Sequence, residues 1–194
     1  MVTVKNYGDV TVTPEEVYRF LGIRDPIAQA ELTSEVESAI RELEAAITPR
    51  MCYARFPLHS DGDLLDLGFT KVESRDLAKN LRGCSEIILI AATVGLEVDR
   101  SIAKYSRLSP SRGLILQAAG AAAVENILDR ATEEFIAEGL ALRPRFSCGY
   151  GDLPLTLQRE IFASLDCPRS IGVSLTDSLL MTPTKSVSAI IGIE

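Results

Sequence analysis

The chain has no tryptophan, a single histidine and four cysteines with no Cys-x-x-Cys pair among them. Each shortage removes a class of chemistry. One histidine, His59, cannot serve a Ser-His hydrolase triad and a metal centre together, and within Pro57-Leu-His-Ser-Asp61 it reads as an exposed loop residue. Zinc and iron–sulfur sites need clustered soft ligands, and cysteines at 52, 84, 148 and 167 are too dispersed to provide them, so no metal site is expected. Reduced, mostly buried thiols are the expectation instead. Basic residues are also in deficit, 20 against 27 acidic ones for a net charge of -7, and no basic patch or tail is left to neutralise phosphates. Nucleic acid is therefore not an expected partner. The longest apolar run, Ile87 to Ala92, is too short to span a bilayer, and Met1-Val-Thr-Val-Lys lacks the basic start and apolar stretch of a secretion signal. These absences point to a cytoplasmic protein that does not engage the membrane.

What is present is ordinary globular composition: 46% hydrophobic and 24% charged residues over 194 positions, enough for one domain spanning 1–194 without disulfides. Thr13-Pro-Glu-Glu starts a helix, with a capping hydroxyl, proline in the first turn and two acids at the positive end of the dipole; Gly22 ends it. From 27 to 47 the residues Leu32, Val36, Ala39, Ile40, Leu43, Ala46 and Ile47 recur at helical spacing, and Pro49 stops the pattern. Strands are predicted at 51–58 and 86–95, with a hairpin or bent strand over 64–72 broken at Gly68, and a short helix over 74–81. A helix from Gly95 to about Tyr105 is followed by the longest element, 109–138. The small residues Gly113, Ala118, Ala119, Gly120, Ala121, Ala122 and Ala123 predict that this helix lies close against the sheet. A helix to Leu165 and strands over 172–175 and 185–193 complete a single α+β domain with a mainly antiparallel sheet flanked by helices, since neither βαβ repeats nor a glycine-rich phosphate loop occurs.

The segment 143–193 carries the densest punctuation. Arg145 precedes Phe-Ser-Cys-Gly-Tyr-Gly-Asp-Leu-Pro154, and a second loop, Leu175-Thr-Asp-Ser-Leu-Leu-Met-Thr-Pro183, precedes Lys185-Ser-Val-Ser-Ala189; together they read as two loops shaped around a small polar ligand. The planar fork of Arg145 suits a carboxylate, although most arginines are simply exposed. Gly149 and Gly151 permit strained turns that leave backbone N–H groups facing a ligand, and Tyr150 offers an aromatic face to a cation or flat ring, against the alternative of a core tyrosine. Ser147 is small enough for its backbone to be the contact. Asp152 is expected to cap or turn the helix that follows, and Thr176, Ser178 and Ser186 to satisfy local turns. Glu125, a lone carboxylate after Ala121-Ala-Ala-Val124, must reach solvent or meet a cation such as an α-amino group. No catalytic acid–base set is evident, as Glu133 and Glu134 fall on different helix faces.

Arg145-x-x-x-Gly149-Tyr150, followed by Leu175-Thr-x-Ser178, Met181-x-Pro183 and Ser186-Val-Ser188, resembles the activation domain of cobalamin-dependent methionine synthase. The resemblance covers about 143–193 and is fainter upstream. It implies a single α+β domain on a twisted antiparallel sheet. It also implies bound S-adenosylmethionine contacted by Arg145, the backbone at Ser147 and Gly149, and Tyr150, with Glu125 matching a helix glutamate of the family. The implied activity is support for reductive remethylation of cob(II)alamin. The implied partners are a cobalamin-carrying methyltransferase that lacks its own activation domain and a one-electron donor such as a flavodoxin or ferredoxin. The Asp-x-His-x-x-Gly signature of cobalamin modules is missing, so cobalamin is expected only on the partner. Two family contacts have no counterpart: a tyrosine that falls beyond Glu194, and an acid that falls at Ala46-Ile-Thr48. They motivate an alternative, a non-catalytic docking module that has lost the ligand.

Overall fold

The computed structural model describes residues 1–194, the side chain of Pro26 excepted. In chain order the elements are β1 (Thr3–Asn6), α1 (Pro14–Leu21), α2 (Pro26–Ala46), β2 (Arg50–Pro57), β3 (His59–Asp61), β4 (Leu64–Asp66), β5 (Lys71–Glu73), α3 (Arg75–Asn80), β6 (Glu86–Thr93), α4 (Leu96–Leu108), α5 (Pro110–Ala137), α6 (Gln158–Leu165), α7 (Cys167–Ser170), β7 (Ser174–Leu175), β8 (Met181–Thr182) and β9 (Ser186–Ile193). The expected helix starts have their physical cause in place. At α1, Thr13 and Glu16 form a reciprocal capping box, Pro14 occupies the first turn, and Gly22 closes the helix at φ 72°.

The main sheet has the order β1-β2-β6-β9, with every neighbouring pair antiparallel. Alternation of side chains along its strands separates two cores. Ile88, Ile90 and Ala92 of β6 join Ala189, Ile191 and Ile193 of β9 on the face covered by α1, α2, α4 and α5. Ile87, Leu89 and Ala91 join Ile190 on the opposite face, under α3, α6, α7 and the small sheet β3-β4-β5. Burial on both faces explains why β6 is continuously apolar rather than alternating. Fully burying one such isoleucine stabilises the fold by about 1.5–3 kcal/mol.

The small residues of α5 share one core with β6 and β9, as expected of a helix close against the sheet, and they also let α4 approach it. A Cβ on Gly113 would come within 3.0 Å of the Ser106 backbone in α4, and one on Gly120 would meet Val98 of α4 and the Lys185 stem. Strand β1 goes unread in the sequence, and the 172–175 strand shrinks to β7, which pairs with β8. His59 is exposed, as expected, but lies in β3 opposite Asp66. Among the described residues no helix is long and apolar enough to cross a membrane.

The outer edge of β9 positions the site. Residues 141–147 run antiparallel along it: the Arg143 N–H donates to Gly192 O at 2.9 Å, Phe146 and Ile190 exchange bonds of 2.9 and 2.8 Å, and the Glu194 N–H donates to Ala141 O at 3.0 Å. This irregular strand covers the sheet edge and fixes the register of Arg145 and Ser147.

Candidate functional site

Between α5, β9 and the 145–150 segment lies a cleft of about 330 Å³, lined by Glu125 and Leu128 of α5, Val187 and Ala189 of β9, and Arg145, Phe146, Ser147 and Tyr150. Four of the five residues expected from the sequence thus converge on one place. Val187 and Ala189 are there because residues 187 and 189 share the face of β9 that looks toward the helices.

Arg145 is the organising cation. Its Nη2 donates to Glu125 Oε2 at 3.0 Å and its Nη1 to Asp129 Oδ1 at 2.7 Å and Thr132 Oγ1 at 3.4 Å, and its side chain is only 25% exposed. Glu125, Asp129 and Thr132 stand at i, i+4 and i+7, so one stripe of α5 grips the guanidinium. Asp129 was missed from sequence. The signal for it was this i, i+4, i+7 polar spacing, which follows the small, apolar first half of the helix. Glu125 accordingly meets a cation of its own chain. Two carboxylates face one guanidinium, so this end of the cleft carries an excess of negative charge.

The Ser147 hydroxyl donates to Ser188 O at 2.8 Å and ties the segment to β9. Tyr150 is 69% exposed at the cleft mouth, its aromatic face free of the core. Gly149, at φ 88°, does not line the cleft; its N–H donates to Leu153 O at 3.0 Å, and the Tyr150 N–H donates to Ser147 O at 3.3 Å. These two N–H groups close the turn instead of facing a ligand. Gly151, at φ 53°, is required by proximity to α3: a Cβ there would sit 3.0 Å from Asp76 Cβ and Cγ, and closer still to the carboxylate. Burial pushes the Cys148 thiol up to about 11.

Asp152 does cap a helix, but one far away in sequence. Its carboxylate accepts from the Ser74 hydroxyl at 2.5 Å and from the N–H groups of Arg75 and Asp76 at 2.9 and 3.2 Å, at the N-terminus of α3. The Ser74 hydroxyl and these N–H groups hold its carboxyl below the usual carboxylate range. In the second loop Thr176 and Ser178 make local turn bonds, as expected. They bond each other at 2.9 Å and Thr176 accepts from Leu180 N, so the loop satisfies itself, and its Pro183 lines a separate cleft of about 270 Å³ with Thr48 and Arg50. A larger hollow of about 500 Å³, with Lys79 and Arg143 in its wall, lies across Phe146 and Tyr150 from the Arg145 cleft. Among the described residues no group of three or more His, Cys, Asp or Glu side chains is placed to hold a metal ion.

Residues 124–193, which contain Glu125 and the whole Arg145 segment, match the family described as vitamin B12 dependent methionine synthase, activation domain. The crystal structure of the MetH reactivation domain bound to AdoHcy is similar over the full length, with a TM-score of 0.73 at 16% identity, covering 99% of this chain and 78% of that one. The chain has the methionine synthase activation-domain fold. The similarity in fold thus extends well upstream of the matched sequence segment, to β1, α1 and α2. No curated protein sequence matches this chain.

Proposed function

We propose that the Arg145 cleft binds S-adenosylmethionine, and that the chain acts in the cytoplasm as a reactivation partner for a cobalamin-carrying methyltransferase lacking its own activation domain. The observation that carries this reading is the convergence of Glu125, Arg145, Ser147 and Tyr150 on one cleft, inside the segment that matches the activation-domain family. The AdoHcy in the similar reactivation-domain structure supports the ligand class. The arrangement suits such a ligand chemically. Glu125 and Asp129 present acceptors to an α-ammonium, Arg145 keeps donors for a carboxylate, and the exposed Tyr150 ring faces a sulfonium or an adenine.

In this reading the residues of the chain bind and orient the donor, and a methyl group leaves its sulfur to give neutral AdoHcy. The partner would hold the corrinoid, which would supply the methyl acceptor after one-electron reduction by a donor such as a flavodoxin or ferredoxin. Isothermal calorimetry with S-adenosylmethionine on the wild type and on Arg145→Ala tests binding. Saturable heat for the wild type and at least a ten-fold weaker variant are expected; absence of heat from both contradicts the reading.

One observation favours a second reading, a docking module without a ligand. Arg145 is already held by two carboxylates, and the N–H groups of Gly149 and Tyr150 are committed to the turn. Retention of a corrinoid methyltransferase by this chain, unchanged by added S-adenosylmethionine and accompanied by no calorimetric heat, is its distinguishing result.

A further inference from the structure

Lys185 is a half-buried lysine outside the lining of the Arg145 cleft. It stands just before β9, two residues from Val187 and on the same face as Val187 and Ala189, so about 7 Å of extended chain separates it from the cleft wall. Its stem enters the gap between helices and sheet over Gly120: a Cβ at that position would meet Lys185 Cγ at 3.1 Å and Cδ at 3.3 Å. The glycine in the middle of α5 is thus what gives the lysine its path. Among the described residues its ammonium makes no side-chain hydrogen bond or ion pair. Asp99, the acid whose field reaches it, is engaged elsewhere, accepting from the Thr184 N–H and the Thr184 hydroxyl, each at 2.7 Å. Burial holds the amine below the usual lysine value, the mark of a cation with incomplete compensation.

The charges along the α5–β9 gap form a simple pattern. At one end Glu125 and Asp129 outnumber Arg145, leaving one excess negative charge. Toward the other end stands Lys185. We infer that Lys185 sets the charge selectivity of the cleft, cancelling the excess negative charge of the Glu125–Arg145–Asp129 group and so lowering its preference for a cationic over a neutral ligand. This rests on the reading of the cleft as an S-adenosylmethionine site. S-adenosylmethionine bears one net positive charge, and AdoHcy, left after the methyl departs, bears none. A cleft with net negative charge would hold the donor and release the product. One neutralised by Lys185 holds the two more evenly, and the two ligands differ only by the methyl group and its charge.

The test compares the affinities of S-adenosylmethionine and AdoHcy for the wild type, Lys185→Met and Lys185→Arg by calorimetry at low ionic strength. Methionine keeps the stem over Gly120 and removes the charge; arginine keeps the charge. Removing one unit charge beside a partly buried site changes the binding ratio of two ligands that differ by one charge on the order of five-fold. Lys185→Met is expected to raise the affinity for S-adenosylmethionine relative to AdoHcy by about that factor, and Lys185→Arg to leave the ratio as in the wild type. An unchanged ratio in Lys185→Met, equal shifts for both ligands, or an arginine variant that behaves like the methionine variant would overturn the inference. Thermal melting of each variant identifies one that has failed to fold, and the arginine variant then carries the comparison: a ratio different from the wild type overturns the inference. If the wild type binds neither ligand, the function proposed for the cleft is what fails, a result visible before any variant is compared.

Discussion

Alanine at Gly151 and at Gly149 offers a paired perturbation that separates backbone strain from crowding in the turn that carries Tyr150. Both glycines have positive φ, 53° and 88°, a region that costs an L-residue roughly 1–2 kcal/mol. Their surroundings differ. A methyl on Gly149 would meet only Leu155 Cδ1, at an ordinary 3.5 Å, whereas on Gly151 it would lie 3.0 Å from both Cβ and Cγ of Asp76 and nearer still to the carboxylate. Overpacking of this kind adds about 1–3 kcal/mol. Gly149→Ala should therefore cost about 1–2 kcal/mol and Gly151→Ala about 2 kcal/mol more. At roughly 2–4 °C per kcal/mol for a domain of this size, Gly151→Ala should melt some 4–8 °C below Gly149→Ala. Differential scanning calorimetry measures this directly. Placing Gly151→Ala in an Asp76→Ala background removes the carboxylate and should recover part of the difference, because the two sites share a contact and cannot be additive. Equal melting temperatures for the two glycine variants, or no recovery in the double variant, would refute the packing of this turn against α3.

Two further outcomes follow from the same segment. The Asp152 carboxyl lies below its usual range in the folded state, so its contribution is complete above the unfolded-state value near about 3.9 and is lost as pH falls through the lower folded value. The stability gap between wild type and Asp152→Asn, from urea titrations, should be constant from pH 5 to 7 and shrink below about pH 4; a gap independent of pH contradicts the capping role. The Cys148 thiol, pushed up to about 11 by burial, should resist a disulfide reagent at pH 8 in the native protein and react on unfolding, and rapid native labelling mapped to Cys148 would contradict its burial.

Much of the fold was legible because local physical chemistry decides it. Thr13, Pro14 and Gly22 mark α1 by capping and dihedral preference, and the heptad-like spacing of Val36, Ile40 and Leu43 marks the buried face of α2. β6 is readable as a strand enclosed on both sides because none of its residues from Ile87 to Ala92 is polar. What was not legible depends on partners distant in sequence. β1 has only four residues and becomes a strand by pairing with β2 some fifty residues away. Asp152 caps α3 rather than the next helix because folding, not sequence order, brings the two together.

The site shows the same division. Arg145, Glu125 and Tyr150 stand out by residue type and local setting, yet the grip of Glu125 and Asp129 on Arg145 joins residues 16 and 20 positions apart across a chain reversal. Gly149 was recognised as a turn residue, but the direction of its N–H followed from the acceptor at Leu153, which no local pattern announces. Thr176 and Ser178 illustrate the reverse case: the modest expectation of local turn bonding describes them, and the idea of a second loop around the ligand does not.

Calorimetric titration of the purified chain with S-adenosylmethionine, beside Arg145→Ala at matched thermal stability, is the most direct measurement of the central claim. Saturable one-site binding to the wild type, weakened at least ten-fold in the variant, is the expected result. Absence of binding, or equal binding by both proteins, would contradict the assignment of the Arg145 cleft as the ligand site.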